Sequence, residues 1–83
     1  MATLESIEGD IIRLLGEKVE GDLKLTPETK IVADTGLASV DVMDFVFELE
    51  DEFGIMVPMD RISDVKTVRQ LAEAIHGLIL EDA

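Results

Sequence analysis

The 83-residue sequence contains no cysteine, tryptophan or tyrosine and a single histidine, His76. Without cysteine, neither a disulfide framework nor a thiolate zinc site can form. One histidine excludes a metal site built on a histidine pair. No apolar run reaches the length of about 18 residues that a membrane-crossing helix needs. The opening stretch MATLESIEGD is acidic and has no basic flank, so it does not read as a secretory signal. These absences lead us to expect a soluble, cytoplasmic monomer. Basic residues are also scarce: 7 Lys and Arg stand against 19 Asp and Glu, for a net charge of -12. Such a chain repels nucleic-acid phosphates and anionic membrane surfaces, which excludes both as direct partners. It attracts basic protein surfaces and speeds encounter with them.

What is present is enough apolar material to fold. Hydrophobic residues make up 47% of the chain, and the aromatics are all phenylalanine. The expected core is therefore mostly Leu, Ile and Val. Residues 1–83 read as a single domain, too small to enclose a deep catalytic cleft. In the first helix, roughly Leu4 to Val19, Leu4, Ile7, Ile11, Leu14 and Leu15 recur at spacings of three and four. Gly16 weakens its end and Gly21 closes it. A long connection follows, with Thr26-Pro27-Glu28 forming a single turn under a threonine cap. Its Leu23, Leu25, Ile31 and Val32 are too apolar for a free linker. A second helix spans roughly Ser39 to Phe53 and stops at Gly54, and a bend at Ile55 to Pro58 leads to one short turn over Met59 to Ser63. The last helix runs roughly Val68 to Leu80, opened by a Thr67/Gln70 capping box. No segment alternates like a strand. The expected architecture is all-α: a four-helix bundle of three main helices and one short helix, with a long loop between helices 1 and 2.

The second helix carries the functional signal. At about 100° per residue, Val42, Phe45, Val46, Leu49 and Phe53 fall in one sector, an ordinary core stripe. Val40, Met43 and Phe47 fall in another, edged by Asp44, Glu48 and Asp51, with Asp41 nearby. A helix at a bundle surface needs one apolar stripe. The second stripe is either covered by the loop or the short helix, or it is a docking face with an apolar centre and an acidic rim.

Ser39 heads this helix. Its plain reading is an N-cap, the hydroxyl accepting a backbone N–H. A functional reading places a hydroxyl at the surface beside free N–H groups and positive potential, where a phosphate ester is favoured. Catalysis by Ser39 is excluded on chemical grounds. The only histidine lies near the far end of the last helix, and GLASVD lacks a G-x-S-x-G elbow. The acidic runs also lack the spaced loop of a calcium site.

The run TGLASVDVMDFVFELEDEFGIMVP, followed by ISDVKTVRQLAEAI, resembles the acyl carrier protein family over nearly the whole chain. Gly36, Ser39, Glu50-Asp51-Glu52-Phe53-Gly54, Ile55, Pro58 and Thr67-Val68 with Leu71 and Ile75 take the places of the family pattern, in order. Ala38-Ser39-Val40 stands where the family usually has D-S-L, and Thr35 where a Leu commonly precedes the Gly, which points to a specialised member.

The resemblance implies 4'-phosphopantetheine esterified to Ser39 by a separate phosphopantetheinyl transferase that uses coenzyme A. The arm's thiol then carries an acyl group as a thioester. By the same carry-over, Val40, Asp41, Met43, Asp44, Phe47, Glu48 and Asp51 form the helix face that meets acyl-transferring or synthase enzymes with basic docking patches. The implied role is delivery of intermediates in fatty-acid, polyketide or related lipid assembly, not catalysis. The family's acyl chains often lodge among the helices, a use that Met43, Met56 and Met59 would suit, though such residues also serve as plain gap fillers. A peptidyl or aminoacyl carrier and an unmodified acidic interaction module remain the alternatives.

Overall fold

In the computed structural model the described residues are 3–19 and 24–82. Gly21 and Leu23, expected to close the first helix and anchor the loop, lie outside them. Four helices are present among the described residues: α1 (Leu4–Lys18), α2 (Ser39–Phe53), α3 (Met59–Ile62) and α4 (Val68–Asp82). The all-α architecture expected from the sequence is the one observed.

Each helix begins and ends for a local reason. At α1, the Thr3 side chain accepts the Ser6 N–H at 3.1 Å and Ser6 Oγ accepts the Thr3 N–H at 3.0 Å, a reciprocal box built on serine. The helix continues through Gly16 and stops at Lys18, where Val19 turns extended. α2 ends at Gly54, whose φ of 64° is the left-handed conformation that glycine adopts without a Cβ clash. The bend beyond it is held by the Val57 N–H, which donates to the Glu50 carboxylate at 2.7 Å.

The core is one cluster: Ile7, Ile11, Leu14 and Leu15 from α1, Phe45 and Leu49 from α2, Val68, Leu71, Ala72 and Ile75 from α4, and Ile31 from the loop. α1 packs on both α2 and α4, while α3 rests on α4. The predicted α1 and α4 stripes therefore hold, with Leu4 and Ile79 at their half-buried margins; the predicted α2 stripe holds at Phe45, Val46 and Leu49, whereas Val42 and Phe53 are only half-buried. Sequence periodicity gave no sign of Glu8, which is buried on α1 at 7% exposure and paired with Arg69 of α4 at 3.2 Å. Arg69 also meets Glu28 at 3.3 Å, so one guanidinium ties α1, α4 and the loop together. A buried carboxylate is tolerable only with such a partner.

The start of α4 is closed by the loop. The Val68 N–H donates to the Thr29 carbonyl (3.0 Å), the Arg69 N–H to the Pro27 carbonyl (2.8 Å), and the Gln70 N–H to Thr67 Oγ1 (3.1 Å). Gln70 Oε1 in turn accepts from the Thr67 and Lys66 N–H groups, as the predicted capping box requires. An isolated antiparallel bridge between Lys30 and Thr67, with the Ile31 N–H donating to the Lys66 carbonyl at 2.8 Å, fastens the loop across this point.

Candidate functional site

The chain reaches α2 through a tight turn over residues 31–35. The Asp34 N–H donates to the Lys30 carbonyl and the Gly36 N–H to the Val32 carbonyl, at 3.1 and 2.8 Å. The Asp34 carboxylate accepts from the Lys30 N–H at 2.8 Å. The Thr35 hydroxyl bonds back to the Ile31 carbonyl and accepts from the Leu37 N–H at 3.3 Å. Gly36, at φ 73°, supplies the left-handed step that turns the chain into the helix. Thr35, a departure from the family pattern, thus closes this turn by hydrogen bonding.

The cap reading of Ser39 fails. The N-cap is Ala38, in an extended conformation, and Ser39 is the first helical residue. An alanine has no side-chain oxygen, and α2 has no side-chain cap hydrogen bond. The first N–H to bond within the helix is that of Val42, to the Ala38 carbonyl at 3.1 Å. Ser39 is exposed between the exposed Ala38 and Val40. Its hydroxyl is therefore open to a macromolecular reagent and stands beside backbone donors with no side chain over them.

The second stripe of α2 is also open. Val40 is 66% and Phe47 57% exposed, so neither the loop nor α3 covers them, and Met43 is half-buried. The acids around this stripe divide into two groups. Glu48 pairs with Lys18 at 3.2 Å, and Glu52 with Arg13 at 3.1 Å, tying α2 to α1. Asp41, Asp44 and Asp51 have no ion pair among the described residues. The structure thus brings the seven predicted docking residues onto one helix and engages one of them, Glu48, within the fold.

Beside α2 lies a cavity of about 360 Å³. Its wall combines Ile31, Val32 and Ala33 of the turn, Val42, Phe45 and Val46 of α2, and Ile62 and Val65 at α3 and beyond it. Val42 stands one turn along from Ser39. None of Met43, Met56 and Met59 lines this cavity, and Met56 and Met59 are exposed, so they neither line it nor fill gaps.

Residues 6–75 match the sequence family described as the phosphopantetheine attachment site. The chain belongs to this family. It is 33% identical over 81 residues to the protein named acyl carrier protein 5, chloroplastic, of Arabidopsis thaliana, covering 92% of this chain and 58% of that protein. It is 29% identical over 76 residues to an acyl carrier protein of Rickettsia canadensis, covering 90% of this chain and 88% of that protein. An acyl carrier protein of Rickettsia massiliae matches equally well, at 29% over 76 residues.

Members of this carrier family serve as attachment points for covalent 4'-phosphopantetheine and are not catalysts. The residues here fit that group: a hydroxyl exposed at a helix start, uncommitted to capping, beside unscreened N–H donors that favour an attached phosphate. No described helix is long and apolar enough to cross a membrane.

The sequence reading missed the cavity. Its signal was the apolar run Ile31-Val32-Ala33 inside a turn-rich loop. The pairing of Glu48 with Lys18 had no local signal, because the two residues meet only when α1 and α2 pack.

Proposed function

We propose that Ser39 is the residue that bears the 4'-phosphopantetheine arm, and that the chain delivers acyl intermediates of fatty-acid, polyketide or related lipid assembly to separate enzymes in the cytoplasm. The single observation that carries this reading is the exposed Ser39 hydroxyl at the first residue of a helix with no side-chain cap, within the matched family segment. In the modification, Ser39 Oγ forms the new phosphodiester bond to the pantetheine phosphate of coenzyme A. The pyrophosphate bond breaks, the nucleotide leaves, and the hydroxyl proton passes to a base on the transferase. The positive end of α2 offsets the negative charge gained at Oγ. Once attached, the group supplies a terminal thiol that holds the acyl cargo as a thioester.

Val40, Met43 and Phe47 form the apolar centre against which the transferase and the acyl-transferring or synthase enzymes dock. Asp41, Asp44 and Asp51 meet basic patches on those partners. Glu48 contributes less than its position suggests, because Lys18 already holds it. The cavity beside α2 shelters the acyl chain between deliveries.

The test is intact mass after incubation with coenzyme A and a broad-specificity phosphopantetheinyl transferase. The parent chain gains one arm and Ser39→Ala gains none. A gain that survives Ser39→Ala sinks the assignment.

A further inference from the structure

Exposure orders the lining of the cavity beside α2. Lys30, Val32, Ala33 and Lys66 are exposed and form its rim, whereas Phe45 is fully buried and Leu71 nearly so, at its floor. Apart from the two rim lysines, no lining side chain carries a polar group. A cargo with hydroxyl, amide or amino groups along its length would bury them there without partners, at a cost in free energy. An unbranched alkyl chain incurs no such cost. Phe45 is the bulkiest of the fully buried side chains and belongs to the same cluster as Ile11, Leu15, Leu49 and Ile75. It therefore stands between the cavity and the packed core. Its flat ring has few torsions with which to shrink, and the close-packed side chains behind it leave it nowhere to go.

We infer that Phe45 is the end stop that sets the length of acyl chain this carrier shelters. The inference rests on the attachment reading for Ser39 and adds to it a cargo class: a linear, unsubstituted acyl group of bounded length. An apolar cavity of ~150 Å³ holds benzene. By proportion, the 360 Å³ here takes a chain of up to about fourteen carbons. Longer chains leave their excess in water, where they add nothing to stability.

The experiment uses the full chain loaded at Ser39 from a ladder of saturated acyl coenzyme A esters by a broad-specificity transferase. Each product is verified by intact mass, and its thermal midpoint is compared with that of the form bearing the free thiol. In the parent, the midpoint rises with chain length to a break and then flattens. Phe45→Leu removes about three carbon atoms of bulk, and the break moves to chains about two to three carbons longer. Phe45→Met, which keeps most of the bulk but yields, moves it in the same direction by less and covers the case in which the leucine variant does not fold. Phe53→Leu is the control, since Phe53 is half-buried against the core and does not line the cavity. It lowers every midpoint and leaves the break in place. A break at the same length in the parent and both Phe45 variants overturns the end-stop assignment, as does a break that Phe53→Leu moves equally, or no length dependence at all. Absence of any mass gain is a different result, which overturns the attachment reading and this inference with it.

Discussion

The starts of α2 and α4 are built in opposite ways. At α4 the first N–H groups are taken by the Thr29 and Pro27 carbonyls and by Thr67 Oγ1, and the Thr67/Gln70 box closes the turn from the other side. At α2 an alanine holds the cap position and no side chain covers the donors. The two helices also differ along their length. Val68, Leu71, Ala72 and Ile75 of α4 disappear into the core, while α2 buries one stripe and leaves Val40 and Phe47 in solvent. Capping contributes about 1 kcal/mol, so the bare start of α2 forgoes a stabilisation that α4 takes. Under the proposed attachment at Ser39, the position that forgoes it is the one where a hydroxyl stays accessible and a phosphate is tolerated.

The largest effect that tests this contrast is on docking. Reversing Asp44 and Asp51 together to lysine, the two exposed acids of α2 with no ion pair among the described residues, should slow acyl transfer by partner enzymes about tenfold or more at low salt. Reversing the exposed Glu73 of α4 should change it little. Transfer kinetics across a salt series measure this, and equal effects on both helices would erase the distinction between them.

Next is the α4 cap. Thr67→Ala should destabilise the fold by about 1 kcal/mol, lowering the thermal midpoint by about 4–8 °C in a domain this small. Loading at Ser39 should be unaffected. A loss of loading matching that of Ser39→Ala would show that the two helix starts are not independent.

The converse change is smaller. Ala38→Asp should stabilise the chain by about 0.5 kcal/mol, because a carboxylate at that position caps the free donors and complements the helix dipole. Denaturant unfolding reads it. No gain in midpoint would mean that the start of α2 is already satisfied by solvent.

The smallest effect is at the far end of α4. The bidentate Arg61–Glu81 pair, at 2.7 and 2.8 Å, joins α3 to α4. The hydrogen bonds from Arg61 hold the Glu81 carboxyl below the usual carboxylate range, against a weaker opposing effect of desolvation. A depressed folded-state value means that the pair stabilises at neutral pH and that its contribution is lost as pH falls through that value. Glu81→Gln should therefore differ slightly from the parent in thermal midpoint at pH 7 and match it in acid. Both side chains are exposed, so the difference is small.

The amino-acid sequence by itself determined the helices, their inner faces and the place of Ser39. Spacings of three and four, Gly54 and the Thr67/Gln70 box are local signals, and local signals act through backbone geometry within a turn or two. The order and spacing of GLASVD, DEFG and the Thr67-Val68 run were enough to mark the carrier pattern. Tertiary structure decided what depends on which surfaces meet. It made Ala38 and not Ser39 the cap, through the turn that Thr35 and Gly36 close. It left Phe47 in solvent, buried Glu8 against Arg69 and engaged Glu48 with Lys18. It also set the cavity between the loop and α2, with Phe45 at its floor, because a void is a property of several elements packed together and no single stretch of the chain encodes it.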